Sequence, residues 1–412
     1  MIARDRMFYR FSLYGFLKNL RFFDPFILLI FRSYGLSYLQ IGLLYSIRDI
    51  AANILEIPTG VLADSFGRRR AMVFAFVSYI LSFVMFYFLE DFLFLSLAMI
   101  LFAFGEAFRS GTHKALILTY LKQKKISDLK VAYYGLTRSA SQFGSAINAL
   151  IAAGIVFYSG SYRVMFLAAT IPYTLDLINV VTYPKSLDGE LHRAQKEDIL
   201  NKVKTTFQEF LRIFTKGSVL KALLNSSSFG GLFRAIKDYL QPVLALMALS
   251  MSIFAQMEDT RREALVIGLV YFFIYLLTSF ASRRAFRFTK RFSSLPAAVN
   301  ISYLIGIGLL FLSGIMTRLE FTLAAVILFI GLYVINNIRR PINVGLISDQ
   351  ISSNVMASGL SAEAQLTTMF SALFAPLLGF LADSFGVGDS LALVGLGMLL
   401  LFSIVRVRQN PE

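Results

Sequence analysis

Glu106, Arg109 and His113 stand three and seven residues apart, a spacing that sets a carboxylate, a guanidinium and an imidazole on one face of a helix. Such a trio suits two kinds of chemistry. A guanidinium fork grips a carboxylate or phosphate through two parallel hydrogen bonds, and a carboxylate or imidazole takes up and releases a proton. Comparable sets recur along the chain. Arg48, Asp49 and Glu56 share one segment, with Asp49 and Glu56 seven apart and Pro58 close by, and Asp24 precedes Pro25. Arg138, Gln142 and Ser145 align, as do Arg234, Asp238 and Gln241 near Pro242. Asn336, Arg340 and Asn343 follow with Arg339 beside them, and Glu363 comes later. The carboxylates best placed to exchange a proton are Asp24 and Glu56.

Other chemistries lack their parts. The chain has no cysteine and only two histidines, His113 and His192, so thiolate sites, disulfides and a histidine metal cluster are not expected. It shows no His-Glu-x-x-His, no Gly-x-Ser-x-Gly and no phosphate-binding Gly-x-x-x-x-Gly-Lys-Ser/Thr string. We therefore expect no enzyme activity, no metal and no soluble cofactor, and an energy source other than ATP.

The elements that carry these residues are membrane helices. Of 412 residues, 57% are apolar, against roughly 45–50% in soluble proteins. Hydrophobic windows of about 20 residues predict helices at roughly 9–32, 37–63, 71–89, 92–119, 131–157 and 162–182, and again at roughly 219–249, 263–282, 295–316, 320–344, 357–381 and 388–405. The first run lies behind Arg4 and Arg6 and is full length, so it reads as a resident helix and not as a removable leader. An ionisable side chain at membrane depth costs ~2.5–3.5 kcal/mol on insertion scales, so those above are expected to face a cavity or a partner. The 41 phenylalanines are read as lipid-facing and helix-packing residues.

A net charge of +15 could suggest nucleic acid, but the placement of the charges favours a membrane. With a cytoplasmic N-terminus, about 25 of the 40 basic residues fall in inner segments and about four outside, the asymmetry of the positive-inside rule. Both termini are then cytoplasmic. Between the two sets of six helices, Ile199, Val203, Phe207, Phe210, Leu211 and Phe214 recur at helical spacing, which predicts an amphipathic linker on the inner membrane surface.

After the second helix stands Gly60-Val-Leu-Ala-Asp64-Ser-Phe-Gly67-Arg68-Arg69-Arg70. This resembles the Gly-x-Leu-Ala-Asp-x-x-Gly-Arg-Arg/Lys loop signature of the major facilitator superfamily. The resemblance implies that Asp64 and Arg68 form a charge relay that holds one side shut, with Gly60 and Gly67 permitting the tight turn. A related string, Gly379-Phe-Leu-Ala-Asp383-Ser-Phe-Gly386, follows the eleventh helix on the opposite predicted side, as nested inverted repeats allow. Gly105-Glu106-Ala-Phe-Arg109 occupies the region where many members carry an embedded arginine. The fifth helix departs from the pattern, with Gly144-Ser145 where the drug antiporters show Gly-Pro.

The expected fold is an all-α membrane protein of twelve transmembrane helices in two six-helix halves, the major facilitator fold. Residues 1–183 form the first half, 184–217 the cytoplasmic linker and 218–412 the second half. The expected function is secondary active transport of a small organic solute by alternating access. Proton-coupled efflux is the sense that resemblance to efflux-type members implies. The alternative is a uniporter or importer of an organic anion without proton coupling. Embedded arginines tilt the substrate toward an anionic or amphipathic molecule. The expected setting is an inner or plasma membrane, with lipids and protons as partners and no nucleic acid. Candidate site residues are Asp24, Glu56, Glu106, Arg109, His113, Arg138, Arg234, Asp238 and Arg340, with Gly60, Asp64, Gly67 and Arg68 at the gate.

Overall fold

The structure, a computed structural model, describes residues 5–188, 217–252, 256–351 and 356–407. Its long elements are all helices: α1 Arg6–Leu17, α2 Ile27–Ser33, α3 Tyr38–Phe66, α4 Arg68–Phe88, α5 Phe92–Arg109, α6 Thr112–Gln123, α7 Lys130–Ser159 and α8 Val164–Val181. The series continues with α9 Gly217–Ile236, α10 Leu240–Ser250, α11 Asp259–Arg283, the short α12 Ala285–Thr289, α13 Leu295–Arg318, α14 Thr322–Gln350, α15 Met356–Phe385 and α16 Val387–Val405. Beyond Asp188, the amphipathic linker expected over 184–217 lies outside the described residues.

Among the described residues, nine helices are each long and apolar enough to cross a membrane, one of them α5 and α6 taken together. The crossings formed by α1 with α2, by α3, and by α9 with α10 complete the twelve. They fail a simple apolar test because they are broken or carry charge. Large side chains such as Leu81, Phe273, Ile327 and Leu400 remain exposed on the helix flanks, which suits contact with lipid tails.

Three helices expected to be continuous are interrupted, each for a local reason. Between α1 and α2 the Asn19 side chain donates to the Gly15 carbonyl (2.6 Å) and Pro25 has no N–H, so residues 18–26 run as turns. The carbonyls freed there find side-chain donors: Tyr173 Oη donates to Lys18 O (3.0 Å) and Asn148 Nδ2 to Arg21 O (3.1 Å). Such substitution lets irregular backbone persist at membrane depth. The fourth crossing breaks at Gly111, whose φ of +73° ends α5. The seventh contains a 3-10 turn at Lys237–Tyr239, where the Tyr333 hydroxyl donates to Lys237 O (2.9 Å).

The chain divides into two compact units, Met1–Phe26 with Ile50–Val203, and Ile27–Asp49 with Lys204–Glu412. In the first, α4 packs on α5 and α8, and α1 on α7. Small residues allow this close approach: a Cβ on Gly144 would lie 2.7 Å from Phe16 O. In the second unit α9 packs on α15, and α13 on α14 and α16. Val219, Leu223, Ala298, Val299, Ile342 and Leu346 form a buried cluster there.

Candidate functional site

In the first unit the broken segment after α1 presents Arg21, and the end of α5 presents Glu106 and Arg109. The two guanidinium groups share one carboxylate. Arg21 donates to Oε1 of Glu106, and Arg109 to Oε2 at 2.7 Å. Each arginine is fixed a second time, Arg21 Nε by the Tyr173 hydroxyl (2.7 Å) and Arg109 Nε by the Tyr79 hydroxyl (3.0 Å). Arg21 also lies over the Phe102 ring, 5.2 Å from its centroid. The clamp carries one net positive charge in a part-buried setting.

His113 does not join the clamp. The turn at Gly111 takes it out of register with α5, and its ring stacks on Tyr14 at a centroid distance of 3.5 Å. Asp24 shares the broken segment with Arg21, and its backbone N–H donates to Arg21 O (2.9 Å). Glu56 is part-buried on α3 and Arg138 is exposed on α7, and neither side chain makes a hydrogen bond or ion pair among the described residues. Two participants were missed in the sequence. Arg21 is a charge inside a hydrophobic run, three residues from Asp24 and a signal equal to it. Asp176 is fully buried on α8, with Asn179 Nδ2 at 3.2 Å and one oxygen unpartnered.

The second unit contains a matching clamp. Asp49, fully buried, accepts from Arg48 Nε and from Arg234, both at 2.8 Å. Here too two arginines hold one acid. Asp238 is held by its neighbour Lys237 at 2.7 Å, and Gln241 accepts from the Leu28 N–H (2.9 Å).

Beside this clamp α9, α14 and α15 enclose a cavity of about 580 Å³. Arg234 and Lys237 line it together with Asn336, Arg339, Arg340 and Asn343 from α14 and Glu363 and Thr367 from α15, and Phe229 and Phe233 supply apolar wall. The polar face read from Asn336, Arg340 and Asn343 thus does border one space. Arg339 is its most unusual member. At 1% exposure it donates to Val299 O (2.5 Å), Ser302 Oγ (2.8 Å) and Asn225 Oδ1 (2.8 Å), all neutral, while Nε has no partner. The guanidinium lies against the Phe229 and Tyr303 rings, 4.4 and 5.1 Å from their centroids. No carboxylate among the described residues pairs with it.

The loop after α3 has the expected tight geometry. Gly67 adopts a φ of +100°, a conformation open to glycine and strained for side-chain-bearing residues. A Cβ there would lie 2.9 Å from the Asp188 carboxyl carbon, and Asp188 itself accepts from the Arg69 N–H at 2.7 Å. Arg68 reaches Asp64 at 3.5 Å and donates to Thr119 Oγ1 at 2.8 Å. In the second copy of the string, Asp383 accepts from the Tyr38 and Leu39 N–H groups at 2.9 and 2.8 Å, capping the start of α3.

The sequence profile described as Major Facilitator Superfamily matches residues 13–364, most of the chain. The chain belongs to that superfamily. Among curated proteins it is similar to the uncharacterized MFS-type transporter YxaM of Bacillus subtilis (strain 168), 27% identical over 247 residues. That match spans 59% of this chain and 59% of the relative, so the chain spans under two thirds of the length of the curated relative it matches. Among solved structures, the nucleoside transporter NupG superposes with a TM-score of 0.78 at 12% identity, covering 98% of this chain and all of that one. A bacterial homolog of the human lysosomal transporter Spinster, inward-facing and unoccupied, gives 0.71 at 13% identity, covering 99% and 100%. A POT family transporter in complex with 5-aminolevulinic acid gives 0.68 at 16% identity, covering 97% and 93%. At these identities the structures establish the fold. In this member of the superfamily the clamps and the cavity are where substrate chemistry has to be sought.

Proposed function

We propose that the protein is a proton-coupled secondary transporter of a small organic anion, or of an amphipathic solute with an anionic end, working by alternating access. Arg339 carries the substrate reading. A guanidinium taken out of water is kept only where something compensates it, and stripping a buried pair of one partner typically costs about 3–5 kcal/mol. Among the described residues Arg339 has only neutral acceptors and ring faces, and it borders a cavity where Arg340 has no partner either. The missing counter-charge is then the substrate's own carboxylate or phosphate.

Arg339 bears on the charge of the substrate and not on the direction of transport, so it suits both proton-coupled efflux, the sense that resemblance to efflux-type members implies, and the alternative, a uniporter or importer of an organic anion without proton coupling. Both readings place the protein in an inner or plasma membrane with its termini inside, as the basic residues support. Thermal unfolding of the purified protein with carboxylates, phosphates and lipophilic cations tests the substrate class. Carboxylates or phosphates are expected to stabilise the wild type, and Arg340→Gln to weaken that effect at least about tenfold, since one charge-assisted bidentate contact is worth about 1.5–3 kcal/mol. Stabilisation by lipophilic cations alone would overturn the anion reading.

Asp64 and Arg68 are proposed as a gate, a role supported by their ion pair beside the tight turn at Gly67. Asp64→Asn is expected to cut flux in proteoliposomes about tenfold or more while leaving the unfolding temperature within a few degrees of wild type. Undiminished flux would remove the assignment.

A further inference from the structure

Most acids near the two clamps and the cavity already have a cation. Glu106 sits between Arg21 and Arg109, Asp49 between Arg48 and Arg234, and Asp238 beside Lys237. Asp176 is sealed in the core, without exposed surface. Glu363 differs from all of these. It stands on the cavity wall, part-exposed, and among the described residues its Oε1 meets only hydroxyls, Ser226 Oγ donating at 2.8 Å and Thr367 Oγ1, which donates to the Glu363 carbonyl at 2.8 Å, lying 3.5 Å away. Its other oxygen takes no hydrogen bond among the described residues.

The cations facing it come from the other two walls of the cavity. Arg234 and Lys237 project from α9 and the turn after it, and Arg339 and Arg340 from α14; α15 adds no described cation to the lining. Arg234 and Lys237 are already matched by Asp49 and Asp238. What remains unmatched among the described lining residues is Arg339 and Arg340, with Glu363 as the one acid. While Glu363 is ionised it offsets part of the unmatched positive charge of the cavity and repels an anion entering it. Once it carries a proton that repulsion is gone, and the positive charge of Arg339 and Arg340 acts on the anion alone.

We propose that Glu363 is the proton-exchanging group of this cavity and that a proton and an organic anion occupy it together. The inference rests on the anion reading above and adds the carrier of the proton and the sense of coupling. The proton comes from water to the free carboxylate oxygen and returns to water when the anion leaves, so only an O–H bond is made and broken. Proton and anion then travel in the same direction, the opposite of antiport.

The test uses the full-length purified protein with benzoate, succinate and inorganic phosphate as probes, titrated by thermal shift at about pH 5 and about pH 7.5. Linkage to one proton changes affinity by up to about tenfold per pH unit. The apparent affinity of the wild type for its best probe is expected to fall at least about tenfold between the two values. Glu363→Gln, permanently neutral and of the same shape, is expected to hold the low-pH affinity at both. Ser226→Ala removes a hydroxyl that favours the ionised form, and is expected to carry tight binding to higher pH. A purely structural role for Glu363 would produce neither change. A Glu363→Gln variant that keeps the wild-type pH profile overturns the coupling role and leaves the anion reading standing. Stabilisation by tetraphenylphosphonium and by none of the three anions overturns both.

Discussion

Glu106→Gln is expected to be the most damaging single change of charge in the first unit. The carboxylate serves Arg21 on one oxygen and Arg109 on the other, and glutamine keeps the shape while leaving two guanidinium groups facing one another without an anion. Leaving a buried charge uncompensated costs about 3–5 kcal/mol, a large part of a typical folding free energy of about 5–15 kcal/mol. We expect a lowered unfolding temperature in detergent and loss of flux in proteoliposomes. The charge argument makes a second demand. Glu106→Gln combined with Arg109→Gln restores the original net charge, and it is expected to recover more than half of the lost stability although it removes another native side chain. If the double variant is less stable than the single one, the acid acts through its hydrogen-bond geometry and not as a counter-ion.

Much of this arrangement was legible in the sequence. The number of crossings followed from hydrophobic windows, since lipid allows few alternatives to a long apolar helix. The Glu106–Arg109 pair followed from helical spacing, and so did the shared orientation of Asn336, Arg340 and Asn343. What the sequence concealed was tertiary pairing and local breaks. Nothing in the residues around Glu106 announces Arg21, 85 positions earlier, and nothing near Asp49 announces Arg234, 185 positions later. Periodicity also assumes an unbroken helix. It placed His113 in line with Glu106 and Arg109, but Gly111 reverses the sign of φ between them and sends the imidazole against Tyr14. The break after α1 depends on an Asn19 side chain bonding back to its own helix and on side chains of α7 and α8 that donate to the displaced carbonyls.

The two copies of the Gly-x-Leu-Ala-Asp string give opposite expectations for the same substitution. At Gly379 an added Cβ would overlap the Tyr38 carbonyl oxygen and lie 2.7 Å from Leu39 Cα. At Gly42, on the other side of the same crossing, it would overlap the Ala375 carbonyl and lie 2.8 Å from Pro376 Cα. Backbone stands against backbone at both places, so no rotamer change relieves the clash. The start of α3 and the end of α15 must part, and the two hydrogen bonds from Tyr38 and Leu39 to Asp383 stretch with them. Overpacking of this kind costs typically 1–3 kcal/mol, and loss of the cap adds about 1 kcal/mol. Gly379→Ala is therefore expected to lower the unfolding temperature and to reduce flux severalfold or more, with Gly42→Ala close behind. Gly60 holds the matching place in the first copy, and a Cβ there meets nothing within 4 Å among the described residues. Gly60→Ala is expected to stay within about 0.5 kcal/mol of wild type, or to stabilise slightly by stiffening the unfolded chain. Equal tolerance at Gly60 and Gly379 in a thermal unfolding series would show that the α3–α15 crossing is not held by close backbone contact, and the cap on Asp383 would then have to be its main tie.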